Sequence, residues 1–121
     1  MLTTMIDAGR LKTVALVMDE VSRHDPPAFE RLSPVRARFV VHDTELLEAV
    51  GRIYRGFPQM SRPLSPRPKA DPWLVALGRV RSLTVVTEEA NRPGKIPHAC
   101  QQLGLQCCTL SQMLAQERFE P

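Results

Sequence analysis

The amino-acid sequence predicts an α/β domain with a mostly parallel central sheet. Short apolar segments with the character of strands alternate with amphipathic segments, and this order favours parallel strands joined by helical crossovers. The segment SLTVVT at residues 82–87 is almost continuously apolar, as expected for a parallel strand that is buried on both faces. With 121 residues, the chain is long enough for one domain, which we place at residues 1–121.

Four segments have the composition of strands. They occupy residues 11–16, 38–42, 82–87 and 105–108. The predicted helices begin or end at recognisable signals: an aspartate before the helix that follows Asp43, and a glycine at Gly9, Gly56 and Gly104. They cover residues 1–9, 17–23, 29–36 (interrupted at Pro34), 44–56, 72–80, 97–103 and 110–116.

The composition restricts the classes of function. The net charge of +3 is mild, so it is compatible with a phosphate-backbone partner and equally with an ordinary soluble surface. The three cysteines contain no CxxC pair, which disfavours a structural zinc site and favours a reducing cytosol. No apolar run approaches the ~20 residues that span a bilayer. We therefore expect a cytoplasmic protein without a membrane partner.

A long proline-rich loop is predicted at residues 57–69. It contains four prolines and the basic residues Arg62, Arg67 and Lys69. Long loops in compact domains are often functional, so these three side chains are candidates for contacting a phosphate backbone. A solvated loop is the alternative interpretation.

Acidic residues follow the predicted strands or begin the helices beside them. Glu20 lies after the first strand, Asp71 opens a helix, and Glu88 and Glu89 follow the strand at 82–87. Ligands bind outside the carboxyl ends of parallel strands, where these acids are expected. Clustered carboxylates repel unless a cation neutralises them, and oxygen ligands suit Mg²⁺ or Mn²⁺.

Each acid also has a purely structural interpretation. Asp71 would cap its helix, with Pro72 at the first helical position. Glu20 would pair with His24 on an exposed helix face. Glu88 and Glu89 would be solvated acids at a strand end, and Trp73 would pack on the helix face.

Three strings in the second half of the chain carry a family resemblance. They are ADPWLVAL at residues 70–77, TVVTEE at 84–89 and KIPHAC at 95–100. Together they resemble the C-terminal half of PIN-like proteins, most closely a bacterial group that pairs ADPWL with VVTEE and KIP. The string AGRLKTVALVMDEVSR at residues 8–23 resembles the family's second strand and its acid-bearing helix. The resemblance covers residues 8–114.

This resemblance implies a three-layer PIN-like fold and a metal-dependent ribonuclease-like site, as in bacterial toxins of the VapC type. Glu20 matches the family's helix glutamate, and Asp71 matches the aspartate of its ADxxLxA motif. Thr87 and Glu89 match the threonine and acid of the TxD motif, where this chain has glutamate. The implied cofactor is Mg²⁺ or Mn²⁺. The implied partners are RNA, an antitoxin protein and a second copy of the chain.

The chain departs from the PIN-like pattern at its start. The family has a central first strand with an aspartate, whereas residues 1–9 have helical spacing and Asp7 is a poor substitute. We therefore expect an N-terminally truncated PIN-like domain, with an upstream start as the alternative. The strands on either side would close the gap, fray or borrow a strand from another chain.

Three functions are consistent with this sequence. The first is a magnesium-dependent ribonuclease whose catalytic and metal-binding residues are Glu20, Asp71 and Glu89. The second is a catalytically inactive PIN-like remnant that binds RNA or protein through the same face. The third is an interaction module whose open sheet edges self-associate.

Overall fold

The computed structural model describes residues 5, 6, 8–61 and 69–116. Within these ranges, the α-helices are α1 (Ala15–His24), α2 (Pro26–Leu32), α3 (Arg36–Phe39), α4 (Thr44–Gly56), α5 (Asp71–Arg81), α6 (Ile96–Leu103) and α7 (Leu110–Gln116). The strands are β1 (Val85–Val86) and β2 (Cys107–Cys108), and 3₁₀ turns occupy Ser33–Val35 and Pro58–Ser61.

The extended segments pair in parallel. Strand β1 pairs with β2 in the register Val85↔Cys107 and Val86↔Cys108. Separately, Thr13 forms a parallel bridge with Val40. The chain is therefore a mixed helix-and-sheet protein with parallel pairing, which is compatible with the predicted α/β class.

All four predicted strands are longer than the observed ones: residues 82–87 and 105–108 contain the two-residue strands β1 and β2, and the other two segments make only an isolated bridge. Of residues 38–42, only Val40 makes a bridge, because the helix α3 continues to Phe39. Of residues 11–16, only Thr13 makes a bridge, because α1 already begins at Ala15. Apolar runs of four or five residues fit one buried helical turn as well as a strand, so their pattern does not separate the two.

Most of the predicted helix ends are confirmed. The carboxylate of Asp43 accepts a hydrogen bond from the backbone N–H of Leu46 at 2.8 Å, as a helix cap does. Gly104 ends α6 with a φ of 70°, and Leu105 N–H donates back to Cys100. Asp71 is not a cap: Ala70 holds that position, without a side-chain hydrogen bond, and Asp71 is the first helical residue.

The main core lies between α4, α5, β1 and α6. Helices α4 and α5 pack along each other, and Arg81 at the end of α5 donates to the Asp43 carboxylate at the start of α4 at 2.5 Å. The largest fully buried apolar side chains of this core are Val14, Leu46, Met60, Val75 and Cys100. A smaller cluster of Ile6, Met18 and Phe39 packs under α1.

Gly78 permits the close approach of α5 to β1. A Cβ at this position would lie 2.7 Å from Val85 Cγ2 and 3.2 Å from the carbonyl oxygen of Leu83. This approach brings the start of α5 and the end of β1 into one region, where the candidate site lies. None of the described helices is long and apolar enough to cross a membrane.

Candidate acidic site

Asp71 is the centre of the predicted acidic site. Its side chain is half-buried at the first position of α5. Burial raises the pKa of its carboxyl, and the negative charges of Glu89 and Glu20 raise it further, whereas Lys95 and Lys69 act in the opposite direction. The charges of Glu20 and Glu89 therefore both act on Asp71, although the three acids come from three separate segments. We call Glu20, Asp71 and Glu89 the acidic edge.

Glu89 is held by the start of the next helix. Its Oε1 accepts a hydrogen bond from the backbone N–H of Ile96 at 3.2 Å, and its Oε2 lies 3.7 Å from Lys95 Nζ. Ile96 is the first residue of α6, whose cap position has no side-chain bond of its own. The carboxylate therefore satisfies a backbone donor and interacts favourably with the positive end of the helix. Glu89 is therefore not a solvated acid at a strand end, which was the purely structural interpretation of the sequence.

The Glu88 carboxylate likewise accepts a hydrogen bond from the first backbone N–H of a helix, in this case α7. Its Oε1 accepts from the backbone N–H of Leu110, the first residue of α7, at 2.8 Å. The same helix start carries a reciprocal capping box in which Thr109 Oγ1 accepts from Gln112 N–H and Gln112 Oε1 accepts from Thr109 N–H. Glu88 is exposed, as predicted, but its carboxylate has a defined partner.

Thr87 fixes the backbone between these two glutamates and β1. Its hydroxyl accepts a hydrogen bond from the backbone N–H of Glu89 at 3.1 Å. Its side chain lines an open cleft of about 470 Å³, together with Glu89 and residues of α6 and β2. Thr87 is thus bonded to a member of the acidic edge, and its hydroxyl orders the turn that directs the two carboxylates to different helices.

Glu20 is the most exposed member of the acidic edge. It lies on α1, one position after Asp19, which forms an ion pair with Arg23 at 3.6 Å. Residues four positions apart lie on the same face of a helix, so this ion pair stabilises α1 locally. The charge of Glu20 raises the pKa of Asp71.

Of the three predicted basic residues of the loop, the structure describes only Lys69. Arg62 and Arg67 lie outside the described residues. Lys69 is half-buried, and its charge lowers the pKa of Asp71, which locates it beside the acidic edge. Sequence reasoning missed Lys95, which pairs with Glu89 and whose charge lowers the pKa of Asp71 more than that of Lys69 does. Its position in the KIP string was the available signal.

The acidic edge has the donor chemistry of a magnesium site without its coordination geometry. Carboxylate oxygens are the ligands that Mg²⁺ prefers. However, no group of three or more His, Cys, Asp or Glu side chains close enough to hold a metal ion occurs among residues 5, 6, 8–61 and 69–116. The three acids therefore share an electrostatic field but do not form a set of ligands around one point.

The fold is that of a mixed helix-and-sheet protein in which Glu89 follows a parallel strand and its charge, like that of Glu20, acts on Asp71. A family model described as a domain of unknown function, DUF4411, matches residues 1–120. Because this match spans nearly the whole sequence, the chain belongs to the DUF4411 family. Comparisons with curated proteins and with solved structures gave no match.

Proposed function

We propose that this chain is a PIN-like protein of the ribonuclease type, and that the acidic edge is the site at which it hydrolyses RNA phosphodiester bonds with Mg²⁺. The observation that carries the proposal is the convergence on Asp71 of the charges of Glu20 and Glu89. These residues occupy the positions that match the acidic motifs of the PIN-like pattern. Electrostatic repulsion between carboxylates is costly, so an arrangement that retains it favours a cationic ligand.

The three-layer PIN-like architecture is part of the same proposal. The parallel pairs Thr13–Val40 and β1–β2 are supporting observations, because a PIN-like sheet is mostly parallel. The order of helices and extended segments along the chain is also compatible with it.

A bound Mg²⁺ would lower the pKa of a water molecule and stabilise the charge that develops on the phosphate. Asp71 is the member of the edge that a cation would contact, because the charges of Glu89 and Glu20 both act on it and its carboxylate does not cap α5. Glu89 already accepts from Ile96 N–H through one oxygen. Its second oxygen is 3.7 Å from Lys95 Nζ, so the lysine and a cation compete for the same charge.

Titration with Mg²⁺ tests this proposal through two readouts. If the acidic edge binds the cation, Mg²⁺ should raise the melting temperature of the wild type, because a ligand of the folded state stabilises it. It should also permit cleavage of a fluorescent single-stranded RNA. Asp71→Asn should abolish both effects, whereas the matched control Glu48→Gln, an exposed acid on α4, should retain both. If Mg²⁺ neither stabilises the wild type nor supports cleavage, the nuclease proposal is wrong.

A second candidate function is a catalytically inactive PIN-like module that binds RNA or a protein such as an antitoxin. The absence of a metal-holding group from the described part of the chain favours it. This candidate predicts RNA binding that weakens as salt rises and that is indifferent to Mg²⁺ and to Asp71→Asn. Mass measurement of the complex isolated under native conditions would detect an antitoxin or a second copy.

A further inference from the structure

A cleft of about 530 Å³ lies between the two parallel pairs of the structure. One wall includes residues 10–13, which contain the bridge residue Thr13, and the other includes residues 82–86, which contain β1. Leu74, Leu77 and Gly78 of α5 and Met113 of α7 also line it. The cleft is therefore bounded by two extended segments and by apolar side chains of two helices.

The β1 wall presents an edge with backbone groups available for pairing. Val85 N–H donates to Gln106 and Thr87 N–H donates to Cys108, so the backbone groups of these residues face β2. Successive residues of a strand direct their groups to opposite sides, and the groups of Thr84 and Val86 therefore face the cleft. Within the described residues, no hydrogen bond connects them to the segment around Thr13.

In the opposite wall, the backbone groups of successive residues also point to alternating sides. Thr13 N–H donates to Phe39, and the Thr13 carbonyl accepts from Val41 N–H. Both groups of Thr13 are thus used on the side away from β1, and those of Lys12 face the other side. Glu20 follows this segment along the chain, and Glu89 follows β1.

We propose that this cleft is a docking site for one extended peptide strand from a separate polypeptide, which pairs with β1 and joins the two parallel pairs into a single sheet. Unpaired strand edges are the surfaces that such β-augmentation uses. Because apolar side chains from different helices line the cleft, the strand should be almost continuously aliphatic, as buried parallel strands are.

The charged residues that line the cleft indicate which type of residue begins the docked strand. Among the described lining residues, the charged ones are Arg10 and Lys12, and both are basic. Both lie at the N-terminal end of the wall formed by residues 10–13, and Lys12 Nζ also donates to the Arg38 carbonyl. An acidic residue at the start of the peptide is therefore complementary to this end. The partner is an aliphatic segment preceded by Asp or Glu.

Amide hydrogen exchange of the full chain with the acetylated peptide DEVIVLVT tests the proposal. Pairing should slow exchange of the Val86 amide about tenfold or more, because that N–H gains a partner, while Val85 and Thr87, already bonded to β2, serve as internal controls. The peptide DEVIPLVT, with proline in the strand, should give no protection. Absence of protection of Val86 by DEVIVLVT would overturn the proposal.

Two variants separate docking from a general loss of folding. Val86→Pro removes the N–H that faces the cleft while retaining the β1–β2 hydrogen bonds, and it should abolish peptide binding with β2 still protected. Lys12→Glu should weaken binding of DEVIVLVT about fivefold and strengthen that of KKVIVLVT, an exchange of preference that misfolding does not produce. Unchanged preference would contradict the charge argument.

The same measurements identify other occupants. If Val86 is protected in the monomer without peptide, the chain fills its own cleft and the proposal is wrong. If protection without peptide appears only with a native mass of twice 13.6 kDa, a second copy is the occupant and the separate partner is again excluded. Protection by RNA but not by peptide would likewise overturn it. None of these outcomes depends on nuclease activity.

Discussion

Glu88 and Glu89 are neighbours in sequence, but their carboxylates accept hydrogen bonds from the first residues of two different helices. Glu88 bonds Leu110 N–H at the start of α7, and Glu89 bonds Ile96 N–H at the start of α6. The end of β1 therefore connects to both later helices through side chains as well as through the chain. The pair of glutamates has a structural role that is independent of any catalytic one.

Alanine and glutamine substitutions at Glu89 separate these roles. Glu89→Ala should lower the free energy of unfolding by about 1 kcal/mol, because the Ile96 donor loses its acceptor. Glu89→Gln retains an acceptor oxygen, so it should lower the free energy of unfolding by less than half of that amount. Urea unfolding measures both changes. Cation binding and RNA cleavage, in contrast, should be lost in both variants. Equal stability of the alanine variant and the wild type would refute the capping role.

Asp71→Asn should stabilise the protein at neutral pH. The pKa of the carboxyl is raised in the folded state above its ordinary value of 3.8, mainly by burial and then by Glu89. The folded state thus binds more protons than the unfolded state in the window above 3.8, so wild-type stability falls as pH rises through it. The advantage of Asp71→Asn should shrink as pH is lowered from 7 towards 4 in urea unfolding series.

Asp43→Asn is the matched control, and its effect on the free energy of unfolding should have the opposite sign. The N–H of Leu46 and then the Arg81 guanidinium hold the pKa of the Asp43 carboxyl below 3.8. Its contribution to stability is complete above the unfolded pKa and is lost as pH falls through the lower, folded value. Asp43→Asn should therefore destabilise the protein, and by the same amount throughout pH 7 to 5. If both variants changed stability in the same direction, the assigned shifts would be wrong.

Gly78→Ala should destabilise the protein by about 1–3 kcal/mol, since the added methyl would overlap Val85 Cγ2 and approach the Leu83 carbonyl. Gly51→Ala is the control within a helix, because its Cβ meets its nearest neighbour, Arg55 Nη1, at an ordinary 3.5 Å. That variant should gain up to about 1 kcal/mol from helix propensity. Thermal unfolding of both compares the two directly, and a stabilising Gly78→Ala would contradict the close helix–strand approach.

Cys100 should be the slowest of the three cysteines to alkylate. Burial, with Cys107 beside it, raises the pKa of its thiol to about 12, so almost no thiolate exists near pH 8. Iodoacetamide labelling followed by peptide mapping should find Cys108, which is half-exposed, modified before Cys100. In urea all three should react at similar rates. Rapid native labelling of Cys100 would show that α6 opens locally.

The sequence by itself determined the features that depend on local chemistry. The cap at Asp43, the left-handed stop at Gly104 and the ends of α4 and α6 follow from residues that lie within a few positions of each other. The parallel strand at Val85–Val86 was also predictable, because its apolar run is nearly continuous and is bounded by polar residues. The choice of Glu20, Asp71 and Glu89 as one group came from a resemblance to known motifs, not from spacing.

Only the tertiary structure decided the features that depend on distant partners. Residues 38 and 39 are helical rather than extended because a short apolar run is compatible with both states, and its surroundings select one. Glu88 and Glu89 bond to two different helices. This requires the starts of α6 and α7 to lie beside the end of β1, although Ile96 is 7 residues from Glu89 and Leu110 is 22 residues from Glu88. The cleft between Thr13 and β1 likewise exists only because packing on α5 places two separate parallel pairs on either side of it.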